Sequence, residues 1–327
     1  MIRRNVKFQY FVLIRQKKIK DCWKGMGKLD IEAWMDKVLQ NDLLNKIIDM
    51  GDVKASIDRA KWFEKDSVWV FRFMKLREDN IPSIVKENNE AKAIKLQPDE
   101  YIGEAIHMLY ECETGIAMLQ INRFSLGRER LEDLLSMIWN MTGERIRLVP
   151  IMDKDQFEAM ARRKYRSIEV SFANIEPQLE SGKNSLGTIM GLYKKFQGVS
   201  GSIKISVGKK RKGTLSIDEI SEFVTDAMEE KSVKALKLHV KDDDSKPVEI
   251  IDLFDAIANS VITFKMENRT VLEYNYAAQL MIKSYKDKKI YCTNSEFSFK
   301  LRTIGNIAPK NPIIIDINVT NPSNKSE

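Results

Sequence analysis

Apolar positions in this chain switch repeatedly between a period of two and a period of 3.6, which predicts many short strands interrupted by a few helices. Residues 6–14 are rich in aromatic and β-branched side chains and predict an opening strand. Residues 16–29 are polar, contain Gly25 and Gly27, and predict a loop. Asp30 can cap a helix over residues 31–40 that carries Ile31, Trp34, Met35 and Val38 on one stripe. Residues 68–76 are nearly all apolar, the mark of a strand buried on both faces. Residues 79–98 are charged, hold Pro82 and Pro98, and predict a mobile loop.

Two strand segments, 102–110 and 116–122, are separated by Glu111-Cys112-Glu113-Thr114-Gly115, a connection suited to an antiparallel hairpin. Leu131, Leu134, Leu135, Ile138 and Met141 then recur at helical spacing over residues 128–141, with Gly143 placed for a left-handed C-terminal cap. Residues 145–151 return to strand character.

The second half has another rhythm. Strands are predicted at 167–172, 202–207, 233–240, 248–253 and 261–266, and helices at 186–196, 217–229 and 271–286. Ser216, with Glu219 three residues on, has capping-box spacing. The expected class is therefore α+β. A hairpin-rich mixed sheet occupies residues 1–155, an alternating β/α unit residues 156–290, and a C-terminal extension with a frayed tail residues 291–327.

Composition narrows the classes further. With 43% hydrophobic residues the chain is globular rather than disordered. Its longest uninterrupted apolar stretch, Tyr10-Phe11-Val12-Leu13-Ile14, is too short for a membrane span or a signal peptide. The three cysteines, Cys22, Cys112 and Cys292, are odd in number and widely spaced, as expected of a reduced cytoplasmic protein.

The net charge of +7 has a location. Residues 1–20 hold seven Lys and Arg and no acidic residue, and the rest of the chain balances 47 basic against 47 acidic residues. Within that neutral remainder two basic clusters stand out: Arg162-Arg163-Lys164 with Arg166, and Lys209-Lys210-Arg211-Lys212 between Gly208 and Gly213. The run Asp242-Asp243-Asp244 partly offsets them. Like-charged runs are commonly solvated faces, but one this dense is costly to keep compact unless an anion meets it. Phosphate-backbone contact by Lys209, Lys210, Arg211 and Lys212 is the resulting expectation, extended by Arg162, Arg163 and Lys164 if folding brings them close.

Catalytic signatures are missing. His107 and His239 lie in separate predicted strands and no cysteine is near another, so a structural zinc site is not expected and no cofactor is implied. Neither a phosphate-binding loop, nor a dinucleotide fingerprint, nor a nucleophile elbow occurs. Glu169, Glu249 and Asp252 lie on or beside strands and leave a Mg²⁺-dependent nuclease as an alternative, although no lysine follows them at the usual spacing. Trp62, Phe63, Trp69, Phe71 and Phe73 cluster around one strand and are read as core.

Five short motifs in order resemble a family of bacterial and bacteriophage proteins without an assigned reaction. They are Leu76-Arg77-Glu78-Asp79-Asn80-Ile81-Pro82, Tyr101-Ile102-Gly103-Glu104, Gln120-Ile121-Asn122-Arg123, Ile151-Met152-Asp153-Lys154 and Val248-Glu249-Ile250-Ile251-Asp252-Leu253. Where that pattern leads one to expect His after Asn122-Arg123, this chain has Phe124. The resemblance implies a prokaryotic or phage origin and a role in phage defence, and it implies no catalytic residue. The expected function is thus a non-catalytic recognition component that contacts nucleic acid or a partner protein. A purely protein–protein homo-oligomer, joined through the helix near 271–286, is a further alternative.

Overall fold

A computed structural model of the chain describes residues 1–19, 22–88, 90–151, 163–173, 175, 185–209, 213–230, 232–241, 247–255 and 257–293. In chain order its first half runs β1 (Ile2–Ile19), β2 (Cys22–Lys28), α1 (Ile31–Gln40), β3 (Ile48–Asp49), β4 (Lys54–Phe63) and β5 (Val68–Arg77). Then come β6 (Ser83–Ile84), β7 (Lys92–Ala93), β8 (Ile102–Glu111), β9 (Ile116–Gln120), α2 (Arg128–Trp139) and β10 (Glu144–Pro150). The second half runs β11 (Lys164–Phe172), α3 (Ser185–Lys195), β12 (Gly201–Ser206), α4 (Ile217–Glu229), β13 (Val233–Lys241), β14 (Glu249–Asp252), β15 (Asn259–Met266) and α5 (Tyr274–Thr293). The class is α+β.

Two compact units are present. The first combines Met1–Phe11, Leu29–Leu148 and Asn259–Ile290, and the second contains Val12–Lys28 and Val149–Ala258. In the first unit the strands follow the order β10-β1-β9-β8-β5-β4-β3, and β15 pairs antiparallel with β1 from Ile2↔Met266 to Gln9↔Asn259. That pairing carries residues 259–290 into the first unit.

The near-continuous apolar character of β5 has a direct cause, because helices cover both of its faces. Trp34 of α1 meets Phe71 edge-on at 5.9 Å and donates its indole N–H to Leu135 O of α2 at 3.0 Å. On the opposite face Tyr274 of α5 donates to Val70 O at 2.7 Å, and Tyr285 stacks on Tyr10 at 6.5 Å. Tyr274, Ala277, Ala278, Met281, Ile282 and Tyr285, which form the apolar stripe of α5, are buried within the unit. The Trp69, Phe71 and Phe73 rings stack along one face of β5, and Phe71 and Phe73 are fully buried.

Local signals behave as their chemistry dictates. Asp30 accepts from Ala33 N at 3.0 Å and α1 buries Ile31, Trp34, Met35 and Val38. Strands β8 and β9 form the expected hairpin, with Met108 opposite Leu119. The left-handed cap of α2 is Asn140 (φ 46°), not Gly143. Asparagine tolerates that conformation, so the helix stops earlier, Met141 is left 46% exposed, and Gly143 (φ 72°) serves the turn into β10. Residues 22–28 form a strand rather than a loop, pairing with β1 from Ile14↔Lys28 to Ile19↔Cys22. This polar ribbon has no apolar alternation to announce it. Residues 54–63, which carry no clear pattern, supply β4, paired with β5 from Lys54↔Leu76 to Phe63↔Val68. The expected loop at 79–98 contains the short β6–β7 pair.

In the second unit the sheet order is β12-β11-β13-β14, antiparallel throughout. Ile168, Val170, Phe172, Leu236, Leu238 and Val240 face a core completed by Leu186, Ile189 and Met190 of α3 and Ile220, Phe223 and Val224 of α4. Ser216 opens α4, its hydroxyl accepting from Glu219 N at 3.4 Å. No helix among the described residues is long and apolar enough to cross a membrane.

Candidate nucleic-acid interface

The described residues on either side of the two basic clusters lie at one end of the second sheet. Antiparallel pairing sets Ser167 opposite Ser206 and Lys164 opposite Lys241, so the start of β11 and the ends of β12 and β13 share an edge. Backbone hydrogen bonds then anchor both flanks of the 208–213 loop to the same dipeptide. Val207 N donates to Arg166 O at 3.0 Å on the entering side. On the leaving side Leu215 N donates to Tyr165 O at 2.8 Å, and Tyr165 N donates to Thr214 Oγ1 at 3.1 Å. The Arg166 guanidinium donates to Gly213 O and fastens the exit a third time. Gly208, at φ 63°, makes the left-handed turn that takes the chain off the strand.

Each expected residue has a place within that frame. Lys209 is exposed just past Gly208. Lys164 is half-buried on β11 and faces Lys241 across the ladder. Arg163 pairs with Glu249, the carboxylate that opens β14. Arg162, Lys210, Arg211, Lys212 and the Asp242–Asp243–Asp244 run lie outside the described residues. Lys241 joins this edge although no basic run in the sequence marks it, because only strand pairing reveals it. At this end the described residues include Arg163, Lys164, Arg166, Lys209 and Lys241, with Glu249 paired to Arg163 and with Asp218 and Glu219 in the first turn of α4, which begins two residues after Leu215. Adjacent strand ends stand about 4.8 Å apart, so these side chains are close neighbours.

The sheet face opposite the helices differs in character. Lys204, Glu169, Lys237 and Asp252 form one cross-strand row of alternating sign. Glu169 lies 3.9 Å from both Lys204 Nζ and His239 Nε2. Partial burial holds the His239 imidazole below its ordinary value, the neighbouring Lys204 and Lys237 cations act in the same direction, and Glu169 opposes them. Glu169 and Asp252, the carboxylates considered for Mg²⁺, are separated in this row by Lys237. Among the described residues no three His, Cys, Asp or Glu side chains gather closely enough to hold a metal ion.

In the first unit the motif residues bridge strand ends. Arg77 and Glu104 form an ion pair at 3.2 Å, and Lys54 joins Glu78. Asn122 Nδ2 donates to Ala105 O at 3.1 Å and Asn122 Oδ1 accepts from Phe124 N at 3.2 Å, fixing the turn after β9. Phe124 is 52% exposed, with the Arg123 guanidinium 4.6 Å from its ring centre. His107 is buried and spends its Nδ1 on Gln120 Oε1 at 2.8 Å, which is the role of a core histidine.

No curated protein matches the chain. A family model does match it over residues 1–295, and on that extent the chain belongs to DUF6731, a family of unknown function.

Proposed function

We propose that the chain is a non-catalytic nucleic-acid-binding protein that grips phosphate backbone with the basic end of the β12-β11-β13-β14 sheet. One observation carries this reading. The described flanks of residues 210–212 are tied to Tyr165 and Arg166, so a segment more than 40 positions away in sequence leaves and re-enters the sheet beside Arg163, Lys164 and Arg166, which supports reading the two clusters as one surface. Concentrating like charge in this way destabilises a compact unit unless an anion offsets it. The chain's resemblance to bacterial and bacteriophage proteins supports reading this binding as the recognition step of an antiviral defence system.

The test uses the full chain with labelled DNA and RNA, with and without Mg²⁺. The expected result is a salt-sensitive complex without cleavage. Replacing Lys209, Lys210, Arg211 and Lys212 together by Ser should weaken binding to all sequences alike, because phosphate contacts position a protein without reading bases. On duplex DNA the slope of log affinity against log salt should shrink by about 0.9 for each phosphate that is no longer neutralised. Unchanged affinity and slope would remove this loop from the interface. Cleavage abolished by EDTA would favour a nuclease instead, and no complex at all would leave a partner protein as the ligand.

A further inference from the structure

We propose that the outer edge of β15 is a docking site for an extended acidic peptide, which adds to the sheet of the first unit as one more strand. The site is separate from the basic end of the β12-β11-β13-β14 sheet and does not depend on it. Lys265 N donates to Tyr276 Oη at 3.2 Å, so this N–H is turned away from β1. Orientation alternates along an antiparallel strand, so Thr263 and Val261 also turn their N–H and C=O groups outward. The partner strand agrees: Lys7, opposite Val261, gives its carbonyl to Ile121 N at 2.9 Å on its other side. Among the described residues β15 pairs with β1 alone, so this row of donors and acceptors has no strand beside it. Such an edge is a template for another strand.

Side chains decide which strand fits. Val261, Thr263 and Lys265 stand on the solvent face beside Lys7, Asn5 and Arg3 of β1, and all six are exposed. Thr263 and Asn5 are joined by a hydrogen bond of 2.8 Å between Oγ1 and Oδ1. Arg3 sits directly opposite Lys265, an unfavourable like-charge pair. Arg3, Lys7 and Lys265 form no ion pair among the described residues, and Glu267, two positions beyond Lys265, pairs with none of them. Glu273 is spent on the backbone N–H groups of Asn275 and Tyr276. The other face of β15 is apolar, with Ile262 and Phe264 buried. A second copy of β15 would bring like charge to this edge. A strand that alternates carboxylates with apolar residues offsets the cations on one face and extends the apolar side on the other. Main-chain hydrogen bonds then supply affinity and the alternate side chains supply selectivity.

Fluorescence anisotropy of the full chain tests this with three labelled nine-residue peptides at 50 and 200 mM salt. One alternates Val and Glu, the second has Lys for every Glu, and the third is the first with its central Val replaced by Pro. The expected result is that the Val–Glu peptide binds about tenfold tighter than either control at 50 mM salt and loosens at 200 mM. Lys265→Glu should reverse the preference between the Glu and Lys peptides. Val261→Pro removes an outward N–H and no bond to β1, and should weaken the Val–Glu peptide about fivefold. Thermal unfolding checks that both variants are folded, and Lys265→Glu, a surface change, keeps the test decisive if Val261→Pro is not. Equal binding of the Glu and Lys peptides, equal binding of the Val and Pro peptides, or no binding of any would overturn the proposal. So would a labelled DNA strand that binds the parent and not Lys265→Glu while the Val–Glu peptide binds neither, which would make this edge a nucleic-acid contact.

Discussion

His107 Nδ1 and Gln120 Oε1 are 2.8 Å apart in the core of the first unit, and the same oxygen accepts the His107 backbone N–H at 3.2 Å. An atom that accepts from a backbone N–H must be the amide oxygen, so Nδ1 carries the imidazole proton. Nε2 is left as a buried acceptor without a hydrogen-bond partner among the described residues. Protonating it would place a cation beside Arg72, which sits opposite His107 in the β5–β8 ladder and is itself paired with Asp58.

A pH dependence follows. Burial holds the His107 pKa below its ordinary 6.5, with Arg72 and Arg4 acting in the same direction and Gln120 and Asp58 opposing. The unfolded chain therefore takes up this proton more readily than the folded one. Stability should be constant above the unfolded value and fall as pH drops below about 6.5 toward the folded value. Urea midpoints at pH 7.5 and 5.5 measure the loss, and His107→Gln should flatten the difference. An equal drop in that variant would assign the effect to other groups.

The ion pair between Glu132 and Arg147 is a second buried commitment. Arg147 Nε lies 3.2 Å from Glu132 Oε2, Leu148 N donates to Oε1 at 2.8 Å, and both side chains are under 5% exposed. Glu132→Ala should cost about 3–5 kcal/mol, because it strands a buried guanidinium. The double variant Glu132→Leu with Arg147→Met should recover part of that loss in a denaturant melt. Equal instability of the single and double variants would mean that lost packing, and not the stranded charge, dominates.

Asp30 is a cheaper and more local contributor. Its carboxylate satisfies one of the four orphan N–H groups at the start of α1. Asp30→Ala should destabilise by about 1 kcal/mol and Asp30→Ser by much less. Thermal unfolding of the pair is the check, and equal losses would discount the cap.

Gly201 is constrained by contact with a ring. A Cβ built there would stand 2.8 Å from Tyr193 Cε1 and Oη, and Tyr193 is wedged against Phe172 with ring centres 5.3 Å apart. Gly201→Ala should therefore cost about 1–3 kcal/mol through overpacking. Adding Tyr193→Leu should return some of it. A neutral Gly201→Ala would show that the ring swings aside.

Much of the fold could be read from local pattern, because local pattern is where the energy lies. The α1 cap and stripe, the β8–β9 hairpin, the Ser216 cap and the doubly buried β5 each follow from side chains within a few positions of one another. Other features had no local cause. Beyond Ile57 strand β4 has only exposed and half-buried residues and none that is buried, so its period is faint. Strand β2 gains its partner from a ribbon without an apolar side. The association of β15 with β1, and the tying of the 208–213 loop to Tyr165 and Arg166, are set by pairing between distant segments. The candidate site shows the same division: its cations were visible as runs in the sequence, while Lys241 and the shared edge of the described segments that flank those runs emerged only from strand register.

The pairing of Ile2 with Met266 has a consequence for the birth of the protein. A ribosome makes β1 first and β15 only after the whole intervening chain has emerged, so this flank of β1 stays open through most of synthesis. The β12-β11-β13-β14 sheet draws all its strands from residues 164–252 and can close before β15 exists. Strand closure over so long a loop is slow. The unit that begins the chain is thus among the last parts to be finished, and a nascent chain halted before Asn259 carries an unpaired strand edge open to association with any other.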